Sequence, residues 1–161
     1  MKFCVLTASD RCAAGLAEDR SGPLISELTA PYGETLRYAC VPDERETIAK
    51  TLVEMCGLGA DIVFTTGGTG FAPRDVTPEA TLDVIEKQVP GIPEAIRAES
   101  LKITPRAMLS RATAGIRGKT LIVNLPGSPK AVRESVAVVL PVLEHAVATM
   151  SGQTQSCARG Q

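Results

Sequence analysis

The chain has 161 residues, enough for a single domain with a substantial core. Its 17 Lys and Arg nearly cancel its 18 Asp and Glu, only 3% of residues are aromatic and there is no Trp, so neither the charge nor the stacking surface of a nucleic-acid binder is present. No apolar run approaches the ~20 residues of a membrane span, and the start, MKFCVLTASD, turns polar too soon for a signal peptide.

Phe3 to Thr7 reads as a first strand. A polar stretch, Ser9 to Pro23, follows it, and loops of that length inside compact domains are often functional. Ser9 and Asp10 lie at the carboxyl end of the strand, where α/β sheets bind ligands; either also suits a simple turn cap. A helix is expected from Gly22 to Thr29. Glu34 to Val41 reads as a second strand, and Asp43 as the cap of a helix from Glu44 to Gly57 with Ile48, Leu52, Met55 and Cys56 on its apolar face.

Residues 61–80, DIVFTTGGTGFAPRDVTPEA, are the most informative stretch. Ile62, Val63 and Phe64 suit a strand covered on both faces. Gly67, Gly68 and Gly70 then allow a sharp turn and close approach of a ligand to main-chain N–H groups. Arg74 and Asp75 add one cation and one anion. Thr77, Pro78 and Glu79 read as N-cap, first helical residue and first-turn acid. The spacing is neither a Walker A loop nor GxGxxG. Asp43 and Asp75 end separate connections on one sheet edge, and converging carboxylates commonly hold Mg²⁺ with phosphates.

A helix from Pro78 to Lys87 is expected next, then one from Pro93 to Lys102. Ala112 to Ile116 reads as a short strand and Thr120 to Asn124 as a clear one. Leu125-Pro126-Gly127-Ser128 leads into a helix reaching Met150, capped by Ser128 and kinked at Pro141. From Ser151 the polar tail reads as disordered, leaving residues 1–150 as one domain. The alternation implies an α/β fold with a mostly parallel sheet and helices on both faces. The five cysteines, Cys4, Cys12, Cys40, Cys56 and Cys157, form no CxxC pair, which suits free thiols in a reducing cytoplasm. A single histidine, His145, argues against a zinc site or a Ser/His/Asp triad.

The segments TTGGTGFAPRDVTPEAT, ESLKITPRAMLSR, AGIRG and NLPGSPKAV together resemble the Mog/MoaB family of molybdopterin adenylyltransferases, and are similar to the gephyrin G domain. The resemblance covers residues 3–150. It implies a three-layer α/β/α fold, a homotrimer, and transfer of AMP from Mg-ATP to the terminal phosphate of molybdopterin, the product passing to a molybdenum insertase. It carries over Asp43 and Asp75 as the essential, Mg²⁺-holding acids. Gly67, Gly68, Thr69 and Gly70, with Ser9, Asp10 and Ser100, become pterin and phosphate contacts, and Arg74 or Lys102 meets the remaining charge. Asn124, Pro126, Gly127 and Ser128 become the nucleotide side, through the backbone at 128, where relatives carry Ser, Asn or Gln. Arg106, apolar in some relatives, receives no role. Two rival readings are a pterin-binding protein with little catalysis and an oligomeric scaffold.

Overall fold

The structure is a computed structural model and describes residues 1–152. The tail expected to be disordered therefore lies, from residue 153 on, outside the described residues.

Six strands form one sheet: β1 (Lys2–Ala8), β2 (Glu34–Val41), β3 (Ile62–Thr66), β4 (Lys87–Gln88), β5 (Ala114–Arg117) and β6 (Thr120–Leu125). Their spatial order is β2-β1-β3-β6-β5-β4. The β2-β1-β3-β6 part is parallel, and β5 and β4 add an antiparallel edge. Between the strands lie α1 (Asp10–Ala13), α2 (Ser21–Thr29), α3 (Arg45–Gly57), α4 (Thr77–Val84) and α5 (Gly91–Leu101), and α6 (Pro129–Met150) follows β6.

Side-chain alternation along the central strands divides the core in two. Phe3, Val5, Ile62, Phe64, Leu121, Val123 and Leu125 face one way and meet Ile25 of α2, Ile96 of α5 and Val132, Val136, Val139 and Leu143 of α6. Cys4, Leu6, Val63 and Ile122 face the other way, against Ile48, Leu52 and Met55 of α3 and Ala80 and Val84 of α4. The Phe3 and Phe64 rings stack at 6.3 Å. The molecule is thus the expected three-layer sandwich. Among the described residues no helix is long and apolar enough to cross a membrane.

Several local expectations change. The polar stretch after β1 holds a one-turn helix, α1, whose cap is Ser9: its Oγ accepts the Cys12 N–H at 3.3 Å. Asp43 does not cap α3; Glu44 takes that position without a side-chain bond to the helix N–H groups, because Asp43 is drawn away by Asp10. Thr77 is not a cap either. It is the first residue of α4, buried, after Val76. That helix ends at Val84, since Lys87 and Gln88 pair with Ile116 and Gly115 at the sheet edge. The last helix does begin as expected, with Ser128 Oγ accepting the Ala131 N–H, and it runs unbroken past Pro141.

Asp19 ties three elements together. Its carboxylate accepts Thr7 Oγ1 from β1 and Tyr38 Oη from β2, each at 2.5 Å. It also accepts the Ser21 and Gly22 N–H groups that open α2. Burial opposes the Asp19 anion, but the bonds from Thr7, Tyr38, Gly22 and Ser21 more than offset it and hold its carboxyl below the usual value. An acid whose pKa is depressed in the fold stabilises that fold above its unfolded pKa, and the contribution is lost as pH falls through the folded value. Asp19→Asn should therefore lose about 1 kcal/mol at neutral pH. Its deficit against the wild type should shrink below about pH 4, where the unfolded carboxyl titrates. Urea unfolding across a pH series measures this, and a deficit that stays constant into acid would refute it.

Candidate functional site

The centre of the sheet dictates the site. From β1 the chain leaves over the α2 face, and from β3 it leaves over the opposite, α4 face, so β1 and β3 are neighbours whose onward connections diverge. A crevice forms at the carboxyl ends of such a pair. At its floor Gly67 turns with φ +89°, and a Cβ there would lie 2.3 Å from the Ala8 carbonyl oxygen. Gly68 follows at φ +63°. Only glycine makes this turn against a neighbouring backbone. Among the described residues, the N–H groups of Gly67, Gly68, Thr69 and Gly70 have no acceptor. Four successive unpaired donors on a glycine turn are the kind of backbone run that can receive an anion.

Acidic groups border that loop. Asp10 and Asp43 bridge β1 and β2 reciprocally: Asp10 N–H donates to Asp43 Oδ2 at 2.9 Å, and Asp43 N–H donates to Asp10 Oδ1 at 3.0 Å. Arg74 holds Asp10 bidentately, Nε to Oδ2 at 2.9 Å and Nη2 to Oδ1 at 2.7 Å. That guanidinium, helped by the Asp43 N–H, pushes the Asp10 carboxyl below its ordinary range. Asp43 shifts the other way: burial raises it, and the Asp10 and Asp75 charges add to the effect despite the N–H from Asp10. Asp43 Oδ1 lies 3.2 Å from where a Cβ on Gly68 would stand, and Asp75 Oδ2 lies 2.9 Å from the equivalent point on Gly70. The two acids singled out from sequence therefore flank one loop. Asp75 also accepts the Ala72 N–H at 2.9 Å, which closes its own turn.

Two residues that sequence reasoning missed fix this loop from beneath. Arg111 donates Nε to the Gly70 carbonyl at 2.7 Å, Nη2 to the Asp75 carbonyl and Nη1 to Glu79. Its backbone N–H donates to Thr69 O at 3.0 Å. No local pattern announces this, because its partners lie 32–41 residues away. Thr77 donates its N–H to the Gly68 carbonyl at 3.1 Å. Its buried Oγ1 has no partner and sits 2.4 Å from the point a Gly68 Cβ would fill.

The remaining candidates are distributed around the loop. On one side an apolar cavity of about 280 Å³ contains Thr69, Gly70, Ser100 and Pro126. On the other, a more polar cavity of about 330 Å³ contains Ser9, Gly67 and Gly127. Asp43 and Arg74 line a third depression with Val76. Pterin and nucleotide candidates are thus mixed: Ser9 shares a cavity with Gly127, and Ser100 shares one with Pro126. Ser128 is exposed and caps α6. Asn124 does not join the crevice. Strand parity turns it towards α4, where it is fully buried, its Nδ2 donating to Thr65 and Thr81 and its Oδ1 accepting the Thr113 N–H. Lys102 pairs with Glu99 at 2.6 Å and lines neither the apolar nor the polar cavity beside the loop.

Comparison with known proteins converges on one family. The sequence pattern of the family described as "Probable molybdopterin binding domain" matches residues 4–145. A molybdopterin adenylyltransferase of Helicobacter pylori is 48% identical over 152 residues, covering 92% of this chain and 86% of its own. Gephyrin of Dictyostelium discoideum is 45% identical over 94% of this chain, which spans only 23% of gephyrin. The crystal structure of the molybdopterin biosynthesis enzyme MoaB of Thermus thermophilus superposes with a TM-score of 0.89 at 45% identity, covering 96% of this chain and 99% of that one.

The Arg111 clamp makes a measurable demand. Arg111→Ala should cost about 3 kcal/mol, because it leaves the Glu79 carboxylate and two carbonyls without their donor. Arg111→Lys should recover only part, since an ammonium lacks the fork that reaches three acceptors. Denaturant unfolding reads the first effect. Amide exchange at Asp75 should accelerate in both variants, and wild-type protection there would refute the clamp.

Proposed function

Because this chain belongs to the molybdopterin-binding domain family, we propose that it is a molybdopterin adenylyltransferase of molybdenum cofactor biosynthesis. The terminal phosphate of molybdopterin attacks the α-phosphorus of ATP. An oxygen–phosphorus bond forms, the bond from the α-phosphorus to the bridging oxygen breaks, and its electron pair leaves with pyrophosphate. The products are adenylyl-molybdopterin and pyrophosphate. The attacking phosphate is already ionised near neutral pH, so no protein nucleophile is needed.

The observation that carries this reading is the run of four free N–H groups from Gly67 to Gly70, set between two cavities. The obstacle in this reaction is repulsion between two anions, and preorganised donors at the point of meeting lower it. The N-terminus of α4 lies against the same loop, through Thr77 N–H to Gly68 O, and adds its dipole. Ser9 and Gly127 line one substrate's cavity, Ser100 and Thr69 the other's.

Mg²⁺ fits these residues. Among the described residues no group of three or more His, Cys, Asp or Glu is placed to cage a metal. Mg²⁺ at phosphate sites uses one or two carboxylates and takes the rest of its shell from water and substrate. Asp43 and Asp75 would hold it. The raised Asp43 carboxyl and the orphaned Thr77 Oγ1 beside it are what a site awaiting an ion and a phosphate presents. The ion supplies neutralisation of the triphosphate. The Arg74–Asp10 pair keeps a third carboxylate compensated, and the spare N–H groups of Arg74 face substrate charge.

Assembly as a homotrimer, a cytoplasmic setting and hand-over to a molybdenum insertase belong to the same proposal and rest on the resemblance. Pyrophosphate release from Mg-ATP, with and without molybdopterin, tests the reaction. Release only with both selects the enzyme; tight pterin binding without release selects a binding module. Asp43→Ala and Asp75→Ala should each lower single-turnover rates about 10²- to 10³-fold and change pterin affinity far less. Unaltered rates in both variants would defeat the assignment.

A further inference from the structure

The apolar cavity beside Gly70 has an unexplained charge in its wall. Most of its lining is uncharged: Ile96, Ala107, Leu109, Ala112, Pro126 and Ala131. Glu134, in the second turn of α6, is half-buried in the same wall. Among the described residues its carboxylate makes no ion pair, although Arg97 and Arg106 line the same cavity. Arg97, also in the wall, donates instead to the Ala112 carbonyl at 2.9 Å. Arg106 lines the cavity and pairs with nothing among the described residues. Lys130, four residues before Glu134 on the same helix, does not reach back to it. A half-buried carboxylate in an apolar wall with no protein partner keeps its acceptors available to a ligand.

We propose that Glu134 is the specificity-determining residue of this cavity, and that it recognises the 2-amino-4-oxopyrimidine edge of a pterin. This inference rests on the adenylyltransferase reading for the identity of the substrate. That edge presents two parallel donors, the ring N3–H and the 2-amino group. A carboxylate offers two parallel acceptors at the same spacing, as it does to a guanidinium. The apolar walls take the faces of the bicyclic ring. At about 280 Å³ the cavity lies near the lower bound of ordinary ligand pockets, about 300 Å³, which suits one pteridine ring system. The phosphate-bearing end of the substrate then extends towards Thr69 and Gly70, where the free N–H groups are.

The test compares pterin with lumazine, the 2,4-dioxopteridine, which replaces the 2-amino donor by a carbonyl acceptor. Wild-type protein, titrated by quenching of pteridine fluorescence, should prefer pterin about 10- to 100-fold, the value of a charge-assisted hydrogen bond gained and a repulsion avoided. Glu134→Gln should reverse the order. A carboxamide provides one acceptor and one donor, which match N3–H and the 2-oxo group of lumazine. A merely structural role for Glu134 would weaken both ligands together and leave their ratio unchanged, and that result overturns the inference. In turnover, Glu134→Gln should raise KM for molybdopterin about tenfold or more and leave KM for ATP unchanged. Pyrophosphate release by the wild type remains an independent check. A wild type that catalyses transfer yet shows no preference between the two pteridines sinks the role of Glu134 alone.

Discussion

Two backbones approach more closely at the middle of the sheet than side chains would permit, and the rest of the molecule is arranged about that approach. Gly67 leaves β3 with its Cα pressed towards the Ala8 carbonyl at the end of β1. The connections leaving these adjacent strands separate to opposite faces, so a crevice is left between them with main-chain groups at its floor. The third loop, after β6, closes on the same point. A Cβ on Gly127 would lie 3.4 Å from the Gly67 Cα, and the carbonyls of Pro126 and Gly127 are held by Thr66 Oγ1 and Ser21 Oγ. Turns distant along the chain thereby share one rim.

Charge at that rim is deliberately unbalanced. Asp10 is satisfied by Arg74 and by the Asp43 N–H, and Asp75 by a local N–H. Asp43 is left with one N–H from Asp10 and with burial and two neighbouring anions against it. An isolated arrangement of this kind is unfavourable. Under the proposed function, a cation and a polyanionic substrate at Asp43 would offset that cost.

Rigidity beneath the rim comes from two polar side chains, Asn124 and Arg111, that each bond to several elements at once. Asn124 bridges β6, β3 and α4 through Thr65 and Thr81, and it also holds the strand before it through Thr113. Arg111 fastens the acidic turn from below. Such networks specify one geometry because any displaced member would strand an unpaired group in a low dielectric. The glycine loop is consequently held by the core. The segment carrying Arg111 also forms part of the apolar cavity through Ser110 and Ala112.

Much of this was legible in the amino-acid sequence. Strand runs such as Glu34–Val41, the glycine loop and the Pro129 helix start are local, set by alternation, by φ requirements and by capping, and they appear in the structure at the expected places. The four spaced motifs were enough to indicate the family. What the chain alone left undecided involves partners far apart in sequence. Asp43 and Thr77 have ideal capping chemistry, yet Asp43 goes to Asp10, 33 residues away, and Thr77 is buried under Gly68. Asn124 reads as a nucleotide contact from its motif, but the pleat turns it inward. Arg111 closes one of the four motifs, yet neither it nor Glu134 carries a local sign of what its side chain meets. Propensity and spacing act over a turn or two of chain, whereas the direction a side chain finally takes is settled by which groups the folded sheet brings to within about 3 Å of one another.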